Sequence, residues 1–341
     1  MEVLSGVAGL ILRRLVLLLP VLIGVSLFTF TLSHVVPSDP ARLIAGPHAS
    51  PSEVASVRHA FGLDRPLWRQ YFTYMGNLLH GDLGESLHTQ RPVRDDLGDF
   101  LPATVELTST AMLLTLAIGI PLGVLSAVFR GRWLDNLTRL FSVSGVSIPV
   151  FWLAIMLQLL LYYRLGWVPA GGRLDTGLQP PPRLTGLYTL DSLLTGHLSL
   201  LINSGWHLLL PSLVLSFGSL AVVTRMMRAT MLEVLRHDYI RTARAKGVTR
   251  RGVLWRHALR NALMPTITVA GLQMGYLLSG ALLVETVFSW SGIGRYAVQS
   301  ILSSDFNAIM SVTLLIAVLF IGVNLLVDLF YALVDPRIHY R

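Results

Sequence analysis

Residues 107–129 read Leu107-TSTAMLLTLAIGIPLGVLSAV-Phe129, a run of 23 positions without one acid or base, closed by Glu106 before it and Arg130 after it. A helix rises ~1.5 Å per residue, so this run reaches roughly 35 Å and exceeds the ~30 Å hydrocarbon core of a bilayer. A helix of that length with no charged face has lipid, not water, as its surroundings.

Working outward, five further stretches obey the same rule: 15–32, 140–163, 206–223, 262–284 and 308–327. One acid or base at the centre of a span costs about 2.5–3.5 kcal/mol, against a few tenths gained per Leu. Glu106, Arg225, Glu285 and Asp328 accordingly stand at span ends. Pro20, Pro121, Pro149, Pro211 and Pro265 predict kinked spans, tolerated because neighbouring helices re-satisfy the freed carbonyls. Arg13 and Arg14 before the first run also fit a signal peptide, but the run is long and ends in Ser33-His34-Val35-Val36-Pro37 without a small-x-small site, which favours an uncleaved span.

Composition agrees: 53% hydrophobic, 13% charged, mean hydropathy +0.61. A net charge of +8 and a pI near 10.2 would suit a nucleic-acid binder only if the apolar half formed a soluble core, and the spans exclude that. With no cysteine there is no disulfide, Cys-based zinc site or thiol catalysis.

Placing the N-terminus inside and alternating the loops puts 17 basic residues inside and 10 outside, with 6 acids inside and 13 outside. The resulting +11 inside and −3 outside satisfy the positive-inside rule and predict both termini cytoplasmic. The chain then divides into an N-terminus and first helix (1–33), a small extracytoplasmic subdomain (34–101), a core of helices two to six (102–335) carrying a cytoplasmic loop (225–261), and a short cytoplasmic tail (336–341). Residues 166–205, with Pro180-Pro181-Pro182 and several glycines, read as an irregular outer loop.

The cytoplasmic connection holds ten of the basic residues and has the grammar of two short helices. Leu232, Leu235, Tyr239 and Ala243 recur at helical spacing, Asp238 can cap a turn, Gly247 suits a left-handed stop, and Thr249 can cap the second helix. Two readings of its charge stand side by side. One is a basic loop that fixes topology and rests on anionic headgroups, at about 1 kcal/mol per Lys or Arg. The other is a docking element whose small-residue backbone, 239–246, sits in a partner's groove.

At Asp238-Tyr239-Ile240-Arg241-Thr242-Ala243-Arg244-Ala245-Lys246-Gly247, followed by Arg260-Asn261-Ala262-Leu263-Met264-Pro265, the sequence resembles the permease signature of the dipeptide/oligopeptide/nickel class of ABC importers. The general importer signature begins Glu-Ala-Ala, followed three residues later by Gly; Arg241-Thr242-Ala243 stand in those places and Gly247 keeps the spacing, while Pro265 lies farther downstream. Pro37-Ser38-Asp39-Pro40, Gly62-Leu63-Asp64-Arg65-Pro66, Gly81-Asp82-Leu83-Gly84-Glu85-Ser86, Leu101-Pro102-Ala103-Thr104, Glu285-Thr286-Val287-Phe288-Ser289-Trp290, Gly292-Ile293-Gly294 and Val334-Asp335-Pro336-Arg337 look like further landmarks, so the resemblance covers nearly the whole chain. Ser291 stands where the family usually has Pro.

The resemblance implies an all-α integral membrane protein of the type I ABC importer permease fold, with six transmembrane helices, in a bacterial inner membrane. It implies a transporter subunit that is not an enzyme and passes peptides, or alternatively nickel complexes or another small solute. Asp238, Tyr239, Arg241, Thr242, Ala243, Lys246 and Gly247 would couple to an ATPase, leaving the remaining arginines of the loop as topology and lipid anchors. Implied partners are two ATP-binding subunits, a second homologous permease and an extracytoplasmic solute-binding protein resting on residues 34–101 and 285–307. No Gly-x4-Gly-Lys-Ser/Thr phosphate loop occurs, so ATP and Mg would belong to the partner subunits and this chain needs no cofactor. Gln158, Gln273 and Asn324 are the polar residues within the spans to test as pathway lining, against the alternative of bonding across packed helices.

Competing motifs carry less. Asp95-Asp96-Leu97-Gly98-Asp99 has no second acidic cluster to share a metal and reads as an acidic turn. Gly292-Ile293-Gly294-Arg295-Tyr296-Ala297 lacks the strand a dinucleotide fingerprint requires and reads as an outer turn. His80 and His88 flank Asp82 and Glu85 without fixed ligand geometry and read as a solvated loop. No hydrolase motif is present, and an ion-driven carrier would need midspan charges that the spans lack.

Overall fold

The computed structural model describes residues 16, 18–32, 40–46, 48–60 and 62–334. Arg13, Arg14, the start of the first span, the landmark at 37–39 and the tail from 335 onward lie outside the described residues. The described chain is helical, with one isolated bridge, Glu85 to Pro92, outside the helices.

In chain order the helices are α1 (Leu18–Leu32), α2 (Pro40–Ala45), α3 (Pro51–Ala60), α4 (Leu67–Leu79), α5 (Val93–Val128), α6 (Trp133–Ser147), α7 (Val150–Leu157) and α8 (Tyr188–Leu194). They continue with α9 (Leu198–Val234), α10 (Asp238–Ala245), α11 (Arg250–Gly252), α12 (Leu259–Val287), α13 (Ile293–Leu302) and α14 (Phe306–Val334). A π-helical segment, Gln158–Arg164, prolongs α7, and another, Val253–Ala258, joins α11 to α12.

Among the described residues four helices are long and apolar enough to cross a bilayer: α5, α9, the continuous stretch Arg250–Val287, and α14 over Phe306–Val327. The expected span 140–163 is not one rod. It is the pair Trp133–Ser147 and Val150–Arg164, bent by 107°. The break falls at Ile148, held extended (φ −85°, ψ 123°) because Pro149 follows it and its ring excludes the helical conformation one residue earlier. Helices run on through Pro102, Pro121, Pro211 and Pro265, so of the prolines named as kink sites in α5 to α12 Pro149 alone interrupts a helix. Counting the bent pair as one gives five spans, and the apolar α1 over 18–32 is a shorter helix among the described residues.

The chain divides into two compact units, residues 1–100 with 296–341 and residues 101–295. In the first, Phe30 of α1 meets Tyr71 and Tyr74 of α4 at centroid distances of 5.3 and 6.0 Å. Asp305 accepts from the Ser86 hydroxyl at 2.6 Å, and Asp96 accepts from Tyr296 at 3.1 Å and from the Thr89 hydroxyl. Asp96 is fully buried, so the stretch read as an acidic turn is the first turn of a long helix with one carboxylate turned inward.

The second unit is organised around α9, against which α6, α7, α8 and α12 pack. One apolar cluster joins Leu107, Ala154, Val214, Leu277 and Trp290; a second joins Met227, Met231, Ile240, Ala243 and Val253. Leu113, Leu140, Val143 and Ile202 remain exposed, as lipid-facing residues of a multi-pass membrane protein do.

Candidate functional site

The second cluster is the floor of the candidate site. α9 has 37 residues, about 55 Å of helix, so it overshoots a ~30 Å hydrocarbon core by several turns. Arg225 to Val234, expected as part of a separate short helix, are the end of this rod, because Met227, Met231 and Val234 keep the helical stripe against Ala262 and Val253. The Thr230 hydroxyl bonds the Ala262 carbonyl at 3.2 Å and ties the two rods together.

After the turn at 235–237 the chain forms α10. His237 takes the extended N-cap position with no side-chain cap, and Asp238 is the first helical residue instead of the cap, where its charge still complements the helix N-terminus. The other end is closed by local hydrogen bonds. Gly247, at φ +78°, donates to Arg244 O at 3.0 Å, and Val248 donates to Ala243 O at 3.2 Å, the pair of bonds of a Schellman stop. Thr249 accepts from Gly252 N at 3.2 Å and caps the next helix as expected. That helix is not short; it runs through the π segment into α12.

α10 is amphipathic. Ile240 is fully buried and Ala243 nearly so, while Asp238, Tyr239, Arg241, Thr242, Lys246 and Gly247 are exposed. At 3.6 residues per turn, Tyr239 and Arg244 flank the buried stripe on opposite sides. Tyr239 stacks on His237 and its hydroxyl accepts from Asn261 Nδ2 at 2.8 Å, beside a cavity of about 340 Å³. Arg244 lines a second cavity of about 530 Å³. Arg241 and Asp238 approach to 3.5 Å in the open, a pair that contributes little.

Of the expected coupling residues five lie in α10, and Lys246 and Gly247 form its C-terminal stop; six of the seven are exposed and Ala243 packs inward. Arg228, grouped with the lipid anchors, is instead bonded to buried Asp135 at 2.6 and 2.9 Å, where Ser126 and Gly131 N complete the carboxylate's partners. Each of the three pathway candidates is hydrogen-bonded within its own unit. Gln273 accepts from Ser219 at 3.1 Å across α9 and α12, Gln158 donates to Ala170 O, and Asn324 donates to Phe320 O of its own helix at 3.0 Å. In the histidine loop, His80 bonds the Gly76 carbonyl and Asp82 accepts from Gly84 N, so both are engaged locally.

Sequence reading missed two polar clusters at the opposite ends of the spans. Glu285 accepts from the Thr104 hydroxyl at 2.6 Å and from Arg295 N at 3.0 Å, Thr104 accepts from Ile293 N, and Trp290 donates to Ala103 O. The landmarks 101–104, 285–290 and 292–294 are therefore one corner. Beside it, buried Arg173 bonds Glu106 at 2.6 Å and Gly186 O at 2.9 Å and lies 3.4 Å over the Tyr188 ring. Asp191, in the first turn of α8, is pushed up by burial, yet the Thr185 hydroxyl and three backbone N–H groups hold it below the usual carboxylate range. An acid at the mouth of a span was the one available signal for Glu106; nothing in the order of residues pointed to Arg173.

The family model described as "Binding-protein-dependent transport system inner membrane component" matches residues 119–340, and the model of its N-terminal part matches residues 7–108. The probable D,D-dipeptide transport system permease protein DdpB of Escherichia coli is 50% identical over 93% of this chain and 94% of its own. The dipeptide transport system permease proteins DppB of Alkalihalophilus pseudofirmus and E. coli are 46% and 43% identical, over 96% and 97% of this chain and 98% of each relative. Among solved structures, the inward-facing MetNI methionine ABC transporter matches 68% of this chain and 93% of its own at a TM-score of 0.50 and 18% identity, a likeness of fold.

Proposed function

Because the chain belongs to the family of binding-protein-dependent transport system inner membrane components, we propose that it forms half of the pathway of an ABC importer for di- or oligopeptides. It is a transporter subunit and not an enzyme. The peptide cargo is read from relatives named as dipeptide permeases that align over nearly their full length.

The observation that carries the mechanism is α10. A helix of eight residues with its apolar stripe fixed on the ends of α9 and α12 and its polar face open is a rigid handle on the bundle. In this reading the face formed by Asp238, Tyr239, Arg241, Thr242, Lys246 and Gly247 seats in a cleft of an ATPase subunit. Closure of two such subunits around ATP moves the handle, and the packed ends of α9 and α12 move with it, alternating access across the membrane. A second permease completes the pathway, both termini are cytoplasmic, and residues 34–101 and 285–307 receive the solute-binding protein. Six spans result if α1 crosses together with the five already described. Gln158, Gln273 and Asn324 are the first positions to test as pathway lining.

Gly247→Val tests this. Space at Gly247 is open, so the substitution meets no neighbour, but φ +78° penalises a β-branched residue by about 1–2 kcal/mol and loosens the Schellman stop. The variant importer is expected to stay in the membrane and hydrolyse ATP with uptake at least tenfold reduced, read as accumulated peptide per ATP hydrolysed in vesicles. Unchanged uptake would overturn the coupling role.

A further inference from the structure

We propose that the 530 Å³ cavity between the end of α5 and the α10–α11 turn binds the headgroup and proximal chain of one anionic phospholipid. Its wall is Ala127, Val128, Val253 and Leu254, and its polar lining is Arg244 and Arg250, with no acid among the lining residues. Among the described residues neither arginine makes an ion pair or a side-chain hydrogen bond, whereas Arg91, Arg173 and Arg228 each hold a carboxylate. Two arginines without a carboxylate partner, lining one hollow together with apolar side chains, call for an amphiphile with an anionic head.

Depth selects the lipid over other anions. Ala127 and Val128 are the last turn of a span, so the cavity opens where hydrocarbon gives way to headgroups. Trp133 and Trp255, 71% and 65% exposed and each within a few residues of arginines, are placed as interfacial anchors are. Arg244 flanks the buried stripe of α10 and, like Arg250, is not among the residues proposed to meet the ATPase. A bound lipid would brace α10 against α5. The site does not rest on the coupling role, because binding is measured without transport.

The test uses the purified complete importer in detergent and native mass spectrometry with added phosphatidylglycerol. The native protein is expected to retain one tightly bound phosphatidylglycerol that excess inorganic phosphate does not displace and phosphatidylcholine does not replace. Arg244→Gln with Arg250→Gln is expected to weaken that adduct about tenfold or more. Val248→Glu, at a partly exposed lining position, places a carboxylate beside the arginines and is expected to do the same with little risk to folding. Arg251→Gln, outside the cavity, is expected to leave it intact. Retention unchanged in both cavity variants, equal loss in Arg251→Gln, equal binding of phosphatidylcholine, or displacement by phosphate would each overturn the proposal; an acidic peptide of a partner that displaces the lipid would assign the cavity to protein instead.

Discussion

Arg173 and Glu106 show what a single residue does in a chain with so few charges to spare. They lie 67 residues apart, are 7% and 3% exposed, and fasten the irregular loop after α7 to the mouth of α5. Removing one partner leaves the other charge buried and alone, which costs about 3–5 kcal/mol, whereas replacing both together is much cheaper. Arg173→Met is therefore expected to lower the thermal midpoint in detergent by several degrees, and Glu106→Gln added to it to restore much of the loss. Additive losses would show that the pair is not coupled. At this scale, what sequence revealed was local. Gly247 and Thr249 were legible because stops and caps are made by neighbours in the chain, but Arg173–Glu106 and Asp135–Arg228 join residues 67 and 93 apart and leave no spacing to read. Asp238 was misplaced by one position for a related reason: an acid at the first helical residue favours the same helix end as an acid at the cap.

Elements meet in this protein through small residues. Gly119 and Gly123 sit one turn apart on α5, and a Cβ at Gly123 would stand 2.6 Å from Met227 Cβ and 2.7 Å from Thr224 O of α9. Neither atom can yield without the backbone, so the two rods touch where glycine permits it, as small-xxx-small pairs do within membranes. Even Gly123→Ala is expected to destabilise by about 1–3 kcal/mol, seen as an earlier thermal midpoint, through overpacking. Gly205→Ala on α9, where nothing lies within 4 Å, is expected to be neutral or slightly stabilising. A larger effect at Gly205 than at Gly123 would refute the close crossing. Uncharged runs made α5, α9, α12 and α14 plain from sequence. The bend at Pro149 was not, since Pro121, Pro211 and Pro265 look alike in sequence and only the packing around each decides whether a helix continues.

Across the whole molecule, the membrane class was written in composition and in the asymmetry of charge, and the family in motifs that recur from 37 to 337. Unit organisation was not, because contacts between residues near 86 and 305, or 96 and 296, are invisible to a linear reading. A permease of this kind is incomplete alone. Affinity purification of the tagged chain from mild detergent is expected to recover two ATP-binding subunits and a sister permease in equal measure with it; a lone chain that accumulates solute when reconstituted would point to an ion-driven carrier. The π segment Val253–Ala258 bears on how such a machine can change over evolutionary time. It carries a wider turn than the helices on either side, so it sets the rotational phase between α10 and the rod that enters the bundle. Deleting a single residue there would swing everything before it by about 100° and turn Ile240 out of its socket. Substitutions can alter the exposed face of α10 one residue at a time, but a change of length in these six positions breaks the register in one step.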